Sequence, residues 1–279
     1  MPAIALTDHD GLYAAPAFYK ASKAAGIKSV IGAEFTLEEG FHVTLLARDR
    51  EGYANLCRLV TAAQLAGAKG EPRLVFSRLA ALSAGLICLS GCRRGEIPAL
   101  LLGGKKAEAL DAARRYLDVF GRERFFIELH HHLHPEDRRL CARLLAIAHA
   151  TGVRPVATNN VHYVAREDHR LQDVLVCIKN RVTLDTSASF RNANSEYYLK
   201  GEAEMLRLPL PADAIHRAAE IAEACSFELD FSSYRFPDFP LPGGERQERT
   251  SGDSASRRHG RGSWRSRSAS GRGSTRSSS

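Results

Sequence analysis

The sequence lacks any apolar run near the ~20 residues that a membrane-spanning helix requires, and its start lacks the basic-then-apolar pattern of a secretory signal. Its six cysteines form no paired CxxC motifs. In a long chain without a secretory signal, such cysteines are mostly reduced and buried. We therefore expect a cytoplasmic protein with no membrane partner, and we exclude integral membrane proteins and secreted disulfide scaffolds.

Outside its C-terminal end, the chain also lacks an excess of basic charge. The formal net charge is +7, from 39 Lys and Arg against 32 Asp and Glu. Residues 246–279 contain nine Arg and two acidic residues, which leaves 30 basic and 30 acidic residues in 1–245. With 44% hydrophobic and 25% charged residues, that first part has the balance of a folded domain with a core. It is not a basic nucleic-acid-binding surface by composition.

The C-terminal segment 246–279 is almost entirely Arg, Ser and Gly, and Trp264 is its sole large apolar residue. Such a composition cannot bury enough apolar surface to offset the entropy of ordering, so we expect disorder. Two interpretations stay open. The segment could bind nucleic acid, because Arg side chains release counterions from phosphate backbones. Its onset immediately after Glu245 favours the second, a shifted reading frame in GC-rich DNA.

Short apolar runs alternate with amphipathic stretches over the first 160 residues. The runs predict strands at Ala3–Leu6, Ser29–Ile31, Phe41–Ala47, Leu86–Leu89, Phe125–Leu129 and Pro155–Ala157. Helices are predicted at Leu12–Ala25, Tyr53–Ala66, Lys105–Phe120, Asp137–Ala150, Leu171–Ile178 and Ala212–Cys225. This alternation predicts parallel βα units, as a barrel or a doubly wound sheet, followed by a mainly helical segment after Asp168.

Side chains that can bind metals lie at or just after the predicted strands. They are His9, Glu34, Cys92, Asn160 and His162, with His42 inside a strand. In barrel-like βα folds the loops after the strands share one face, so residues far apart in sequence can meet there. A set of His, Glu and Cys suits Zn²⁺, Mn²⁺ or Fe²⁺, and two or more such ions could activate water and hold a phosphoryl group for hydrolysis.

Other interpretations of these polar residues remain open. Asp8 and Asp10 could cap the helix that follows them, and a single His is more often a surface residue than a ligand. The run His130–His134 precedes a proline, so we expect a solvated loop from which at most His132 approaches the site. Four further cysteines fall on apolar helix faces and are predicted to be core residues: Cys57, Cys141, Cys177 and Cys225.

Several segments, in order along the chain, resemble the PHP (polymerase and histidinol phosphatase) domain of bacterial C-family DNA polymerases. They are Ala5–Gly11, Ile31–Glu34, His42–Ala47, Leu89–Cys92, Ala157–Tyr163, Leu171–Ile178, Asn194–Lys200 and Ala219–Cys225. The segment Arg170–Leu175 (RLQDVL) is most similar to the error-prone branch. The resemblance covers residues 1 to about 245 and implies a distorted (β/α)₇ barrel with a metal cluster.

By motif, the resemblance implies a set of metal ligands and two departures from the family. The ligands would be His9, Glu34 as the bridging carboxylate, His42, Cys92 and His162. Asn160 stands where the family has Asp; an amide lacks the carboxylate charge, so we expect Zn²⁺ or Mn²⁺ at reduced occupancy. Family members also begin with a strand that carries a His-x-His pair. No such strand precedes His9, so we expect an incomplete barrel with an open edge.

These observations divide the chain and define its expected function. Residues 1–178 would be a PHP domain without its first βα unit, 179–245 would lead to a polymerase core, and 246–279 would be the disordered end. The resemblance implies a fragment of an error-prone DNA polymerase, which acts on DNA with other replication and mutagenesis proteins. The Mg²⁺-binding carboxylates of that core would lie beyond residue 245, so we do not expect this chain to polymerise. The alternatives are a stand-alone PHP-type phosphoesterase and an inactive scaffold with a basic nucleic-acid-binding tail.

Overall fold

A six-stranded sheet organises residues 1–230, which are the residues that the computed structural model describes. The strands lie side by side in chain order: β1 (Ala3–His9), β2 (Lys28–Thr36), β3 (His42–Ala47), β4 (Leu86–Leu89), β5 (Phe125–Leu129) and β6 (Arg154–Ala157). The prediction of an all-parallel sheet is wrong at β3, which runs antiparallel to both β2 and β4. Only residues 37–41 separate β2 from β3, too few for the crossover that parallel strands need.

Nine α-helices occur within the described residues. They are α1 (Ala15–Ala24), α2 (Arg50–Ala66), α3 (Phe76–Ala81), α4 (Glu96–Leu102), α5 (Lys106–Phe120), α6 (Asp137–Thr151), α7 (His169–Asn180), α8 (Glu202–Met205) and α9 (Ala212–Ala224). The sequence predicted the six long ones. It missed α3, α4 and α8 because four to seven residues are too few to show a helical period. No helix among residues 1–230 has both the length and the hydropathy needed to cross a bilayer.

The two faces of the sheet carry separate apolar cores. On one face, side chains such as Leu45 and Phe125 pack with helices α2, α4, α5 and α6. On the other face a smaller cluster joins residues of β2 to β6 with Ile221 and Cys225 of α9. Strands β1 and β6 are the two edges of the sheet, and α9 packs against both. Helix α9, from the far end of the described chain, therefore contacts β1, the strand at which the sequence predicts an open edge.

Several local predictions are settled by the packing. Asp8 accepts a hydrogen bond from the backbone N–H of Ala14 at the start of α1 (3.0 Å), as a cap would. Asp10 does not cap; its carboxylate accepts from the N–H and the hydroxyl of Thr36, both at 2.8 Å, and so ties the end of β1 to β2. Of the four cysteines expected in the core, Cys141, Cys177 and Cys225 are buried, whereas Cys57 is only half-buried.

The prediction of a solvated histidine loop after β5 is wrong. His130, His131 and His132 are all buried. The carboxylate of Asp137, at the start of α6, accepts hydrogen bonds from the backbone N–H groups of His132 (2.7 Å) and His134 (3.1 Å) and so folds the loop inward. The expected disorder of residues 246–279, and their suggested binding of nucleic acid, lie outside the described residues.

Candidate metal centre

Polar side chains meet at one edge of the sheet, on the face that carries the smaller apolar cluster. Val30 and Leu46 belong to that cluster, and side chains alternate along a strand, so Glu34 and His42 lie on the same face. Because β3 runs backwards, its first residue His42 lies beside Thr36 at the end of β2. The reversed strand therefore brings its beginning to the edge where its neighbours end.

Three of these side chains form a compact group: His9, Glu34 and His42. Their ligand atoms all lie within 4.8 Å of one another. Oε1 of Glu34 is 3.8 Å from Nε2 of His9 and is hydrogen-bonded to Nδ1 of His42. Glu34 and His42 are buried, whereas 55% of the His9 side chain is exposed. The group is therefore held by the core on one side and open to solvent at His9.

Cys92 adds a thiol to this group from the turn after β4. Its Sγ lies 3.8 Å from Oε1 of Glu34 and 3.9 Å from Nδ1 of His42. Two ligands bound at 2.0–2.3 Å to a tetrahedral ion are roughly 3.3–3.6 Å apart, so these separations need to contract by only a few tenths of an ångström. Two imidazoles, a carboxylate and a thiol are a donor set that suits Zn²⁺ and, less well, Mn²⁺. The residues present fit a metal ion.

The surroundings favour the ionised form of the Glu34 carboxyl but disfavour that of the Cys92 thiol. Burial alone would raise the pKa of Glu34, but the hydrogen bond with His42 and the charges of His9 and His42 outweigh it, and the pKa lies below its usual value. Burial, followed by the charge of Glu34, raises the pKa of Cys92 to about 12. The thiol therefore keeps its proton in the metal-free protein, and a bound cation would have to displace it.

The two remaining sequence-predicted ligands lie after β6. His162 donates its backbone N–H to the carbonyl of Tyr197 (2.8 Å). Its pKa is lowered, first by burial and then by the charge of His9, which places its ring in the electrostatic range of the group. Asn160 adopts a left-handed φ of 40°. Neither belongs to the compact group among the described residues, so their role as ligands stays a prediction.

Sequence reasoning missed two polar residues at the same edge, Glu128 near the end of β5 and His130 just after it. Oε1 of Glu128 is 3.2 Å from Nε2 of His130, and both residues are buried. A signal was available, because His130 follows a strand in the same way as Cys92 follows β4. The run of histidines before a proline favours a solvated loop, and this interpretation competes with a role for His130 in the site.

Gly91 sets the position of Cys92. It has a φ of +84°, and a Cβ added there would lie 2.7 Å from the carbonyl oxygen of His42. We expect Gly91→Ala to lower the free energy of unfolding by about 1–3 kcal/mol and to weaken Zn²⁺ binding, because the turn must move away from β3. Urea unfolding and a Zn²⁺ titration measure the two effects.

Gly104 offers a matched control for this substitution. Its φ is +78°, and a Cβ there would meet nothing within 4 Å. Gly104→Ala therefore carries the backbone strain without the contact and should leave Zn²⁺ affinity unchanged. Equal affinities in Gly91→Ala and Gly104→Ala would show that Gly91 does not position Cys92.

The fold and the grouped side chains agree with comparisons to known proteins. Residues 1–132 match the family model of the PHP domain. The chain is 40% identical to the error-prone DNA polymerase of Symbiobacterium thermophilum, over 94% of this chain and 26% of that protein. It is 39% identical to the DNA polymerase III subunit alpha of Thermus aquaticus, over 87% of this chain and 22% of that protein. The error-prone DNA polymerase of Mycobacterium tuberculosis is 37% identical over 88% of the chain and 24% of its own length.

The part of the sheet within residues 1–132, with its metal-competent edge, is thus that of a PHP domain, and the predicted fold class is confirmed. More particularly, the chain is similar over most of its length to error-prone DNA polymerases and to DNA polymerase III alpha subunits. It spans about a quarter of the length of these relatives.

Proposed function

We propose that the chain is the PHP region of an error-prone DNA polymerase and that its own chemistry is to bind a transition-metal ion. The observation that carries this proposal is the group of His9, Glu34 and His42, with Cys92 within 3.9 Å of the last two. The match to an error-prone polymerase covers 94% of the chain, against 87% for the DNA polymerase III subunit alpha of Thermus aquaticus, and this supports that branch. By analogy with these relatives, the proposal includes synthesis across damaged templates in the whole polymerase. It also includes DNA and replication proteins as partners, and a location in the cytoplasm.

In this proposal the metal centre links β1, β2, β3 and the turn that follows β4. Glu34 would hold the ion with His42 and His9, and Cys92 would join them by losing its proton. A bound ion supplies Lewis-acid chemistry and lowers the pKa of water. His162 and Asn160, after β6, would complete the centre, and the amide of Asn160 would make it weaker than one with a carboxylate there.

The direct test measures two activities of the full chain. Zn²⁺ and Mn²⁺ titrations of chelator-treated protein should show a bound ion that is lost in His42→Ala. A primer extension assay with Mg²⁺ and all four deoxynucleotides should show no synthesis above background. Measurable templated extension, or the absence of any ion that His42→Ala removes, would overturn the proposal.

A metal-dependent phosphoesterase remains the second candidate, and the solvent-exposed side of the centre at His9 favours it. Its test is phosphate release from phosphomonoesters and DNA ends in Mn²⁺ or Zn²⁺. If His9→Ala removes that release, then the centre is catalytic; if there is no release to remove, the metal has a structural role only.

A further inference from the structure

A second group of donors lies at the same edge of the sheet, over β5 and β6, apart from the group at His9, Glu34 and His42. It consists of Glu128, His130 and Thr158. Phe126 and Val156 belong to the smaller apolar cluster, and alternation along the two strands places Glu128, His130 and Thr158 on that same face. The donors therefore sit above the same apolar floor as Glu34 and His42.

The three side chains are held close together. The hydroxyl of Thr158 donates to Oε1 of Glu128 (2.6 Å), and Nε2 of His130 is 2.6 Å from that hydroxyl and 3.2 Å from the same carboxylate oxygen. Ligands at 90–110° around an ion at 2.0–2.2 Å are roughly 3.0–3.5 Å apart. The separation between Glu128 and His130 already lies in that range.

One atom in the group has no partner. Oε2 of Glu128 is buried and accepts no hydrogen bond, although Glu128 is only 5% exposed. The hydroxyl of Thr158 and one N–H of His130 are the hydrogens available within the group, and both are directed at other atoms. An unpaired buried carboxylate oxygen is costly, and a cation bound between Glu128 and His130 would give it a partner.

We propose that Glu128, His130 and Thr158 form a second divalent-cation site, separate from the centre at Glu34. The ligands come from β5 and β6, whereas Glu34 and His42 come from β2 and β3, so β4 runs between the two sites. Two strand spacings, about 10 Å along the sheet, separate Glu34 and His42 from the new site, and Cys92 of the first centre follows β4 between them. The backbone N–H of Glu128 also donates to the hydroxyl of Ser90 (2.8 Å), which anchors the new site to β4 two residues before Cys92.

The two sites differ in the ions that they should prefer. The first includes the thiol of Cys92, and sulfur favours Zn²⁺. The second offers one imidazole nitrogen and oxygen atoms, a set that accepts Mn²⁺ readily and has no sulfur to select against it. Both carboxylate oxygens of Glu128 can then contact the ion, which removes the unpaired buried atom.

The experiment uses the full chain, stripped with a chelator and loaded with one equivalent of Zn²⁺. Mn²⁺ is then titrated, and free Mn²⁺ is followed by its electron paramagnetic resonance signal. We expect one bound Mn²⁺ per chain, and at least tenfold weaker binding in Glu128→Gln and in His130→Gln, with Zn²⁺ retained. The exposed Glu123 and His216 provide the controls Glu123→Gln and His216→Gln, which should bind as the wild type does.

Two outcomes would overturn the second site: no Mn²⁺ bound beyond the Zn²⁺, or Mn²⁺ binding that Glu128→Gln leaves unchanged. If a variant does not fold by circular dichroism, the wild type decides: pulsed resonance must detect a single coupled imidazole nitrogen on the bound Mn²⁺, whereas the first centre offers two, from His9 and His42. Glu34→Gln separates the two proposals, since it should remove Zn²⁺ and leave Mn²⁺ in place.

Discussion

Glu34→Gln will abolish tight Zn²⁺ binding at the first centre, with a loss of affinity of at least 100-fold. Changing a residue that only orients a metal ligand already lowers metal affinity about 10–100-fold. Glu34 is closer to the ion than such a residue, because it contacts every other member of the group. Its Oε1 is 3.8 Å from both His9 and Cys92 and is hydrogen-bonded to His42. Glutamine keeps the shape but removes the charge that the cation requires. Isothermal titration with Zn²⁺ measures the change.

The control for this substitution is Glu38→Gln, because Glu38 is an exposed carboxylate only four residues away. It should bind Zn²⁺ as the wild type does. The pKa of the Glu34 carboxyl is lowered despite its burial, so the wild type presents the ionised carboxylate that a cation requires. A Zn²⁺ affinity that survives Glu34→Gln would remove Glu34 from the centre.

Asp137→Ala will lower the free energy of unfolding by about 2–4 kcal/mol, because two backbone N–H groups lose the buried carboxylate that accepts their hydrogen bonds. Asp137 is 1% exposed, and its carboxylate accepts from Arg93 (2.6 Å) and from the backbone N–H groups of His132 and His134. Removing it leaves the two backbone N–H groups without an acceptor, whereas Arg93 keeps Glu136 at 3.7 Å. Urea unfolding followed by circular dichroism measures the loss in metal-free protein.

Asp118, an exposed acid on α5, gives the matched control Asp118→Ala. It should change the free energy of unfolding by less than about 0.5 kcal/mol. Asp137→Ala should also free the turn that follows β4, because Arg93 is the neighbour of Cys92. We expect Zn²⁺ affinity to fall together with stability. A loss below about 1 kcal/mol would show that water replaces the carboxylate and that the histidine segment does not depend on it.

The sequence predicts strand and helix bounds best where buried residues also follow a regular strand or helix period. Strands β4 and β5 and helix α5 were predicted to within a residue, since continuous apolar runs and a regular helical face identify such elements. Strands β1 and β2 extend further than their apolar runs. His9 and Glu34 pair with each other in the ladder, so both polar residues lie inside strands. Local hydrophobicity does not show such a pairing, because it depends on a neighbouring strand.

The candidate site was harder to predict from the sequence than the strands that carry it. The convergence of His9, Glu34 and His42 was anticipated from strand ends, but on the assumption of parallel strands. The observed reason is different, since His42 begins a reversed strand. The sequence predicts a solvated loop at His130 and His132, whereas their burial depends on Asp137 at the start of the next helix and on the stacking of His132 against Tyr197 at 3.9 Å.

The short connection between β2 and β3 has a consequence for the order of events in folding. Glu34 and His42 are eight residues apart in one hairpin, and hairpins form in about 1–10 μs, well before a ladder between distant strands. The two most buried ligands of the first centre can therefore meet while β4 to β6 are still unpaired. A metal ion captured at that stage would act as a nucleus around which Cys92, supplied fifty residues later, joins the growing sheet.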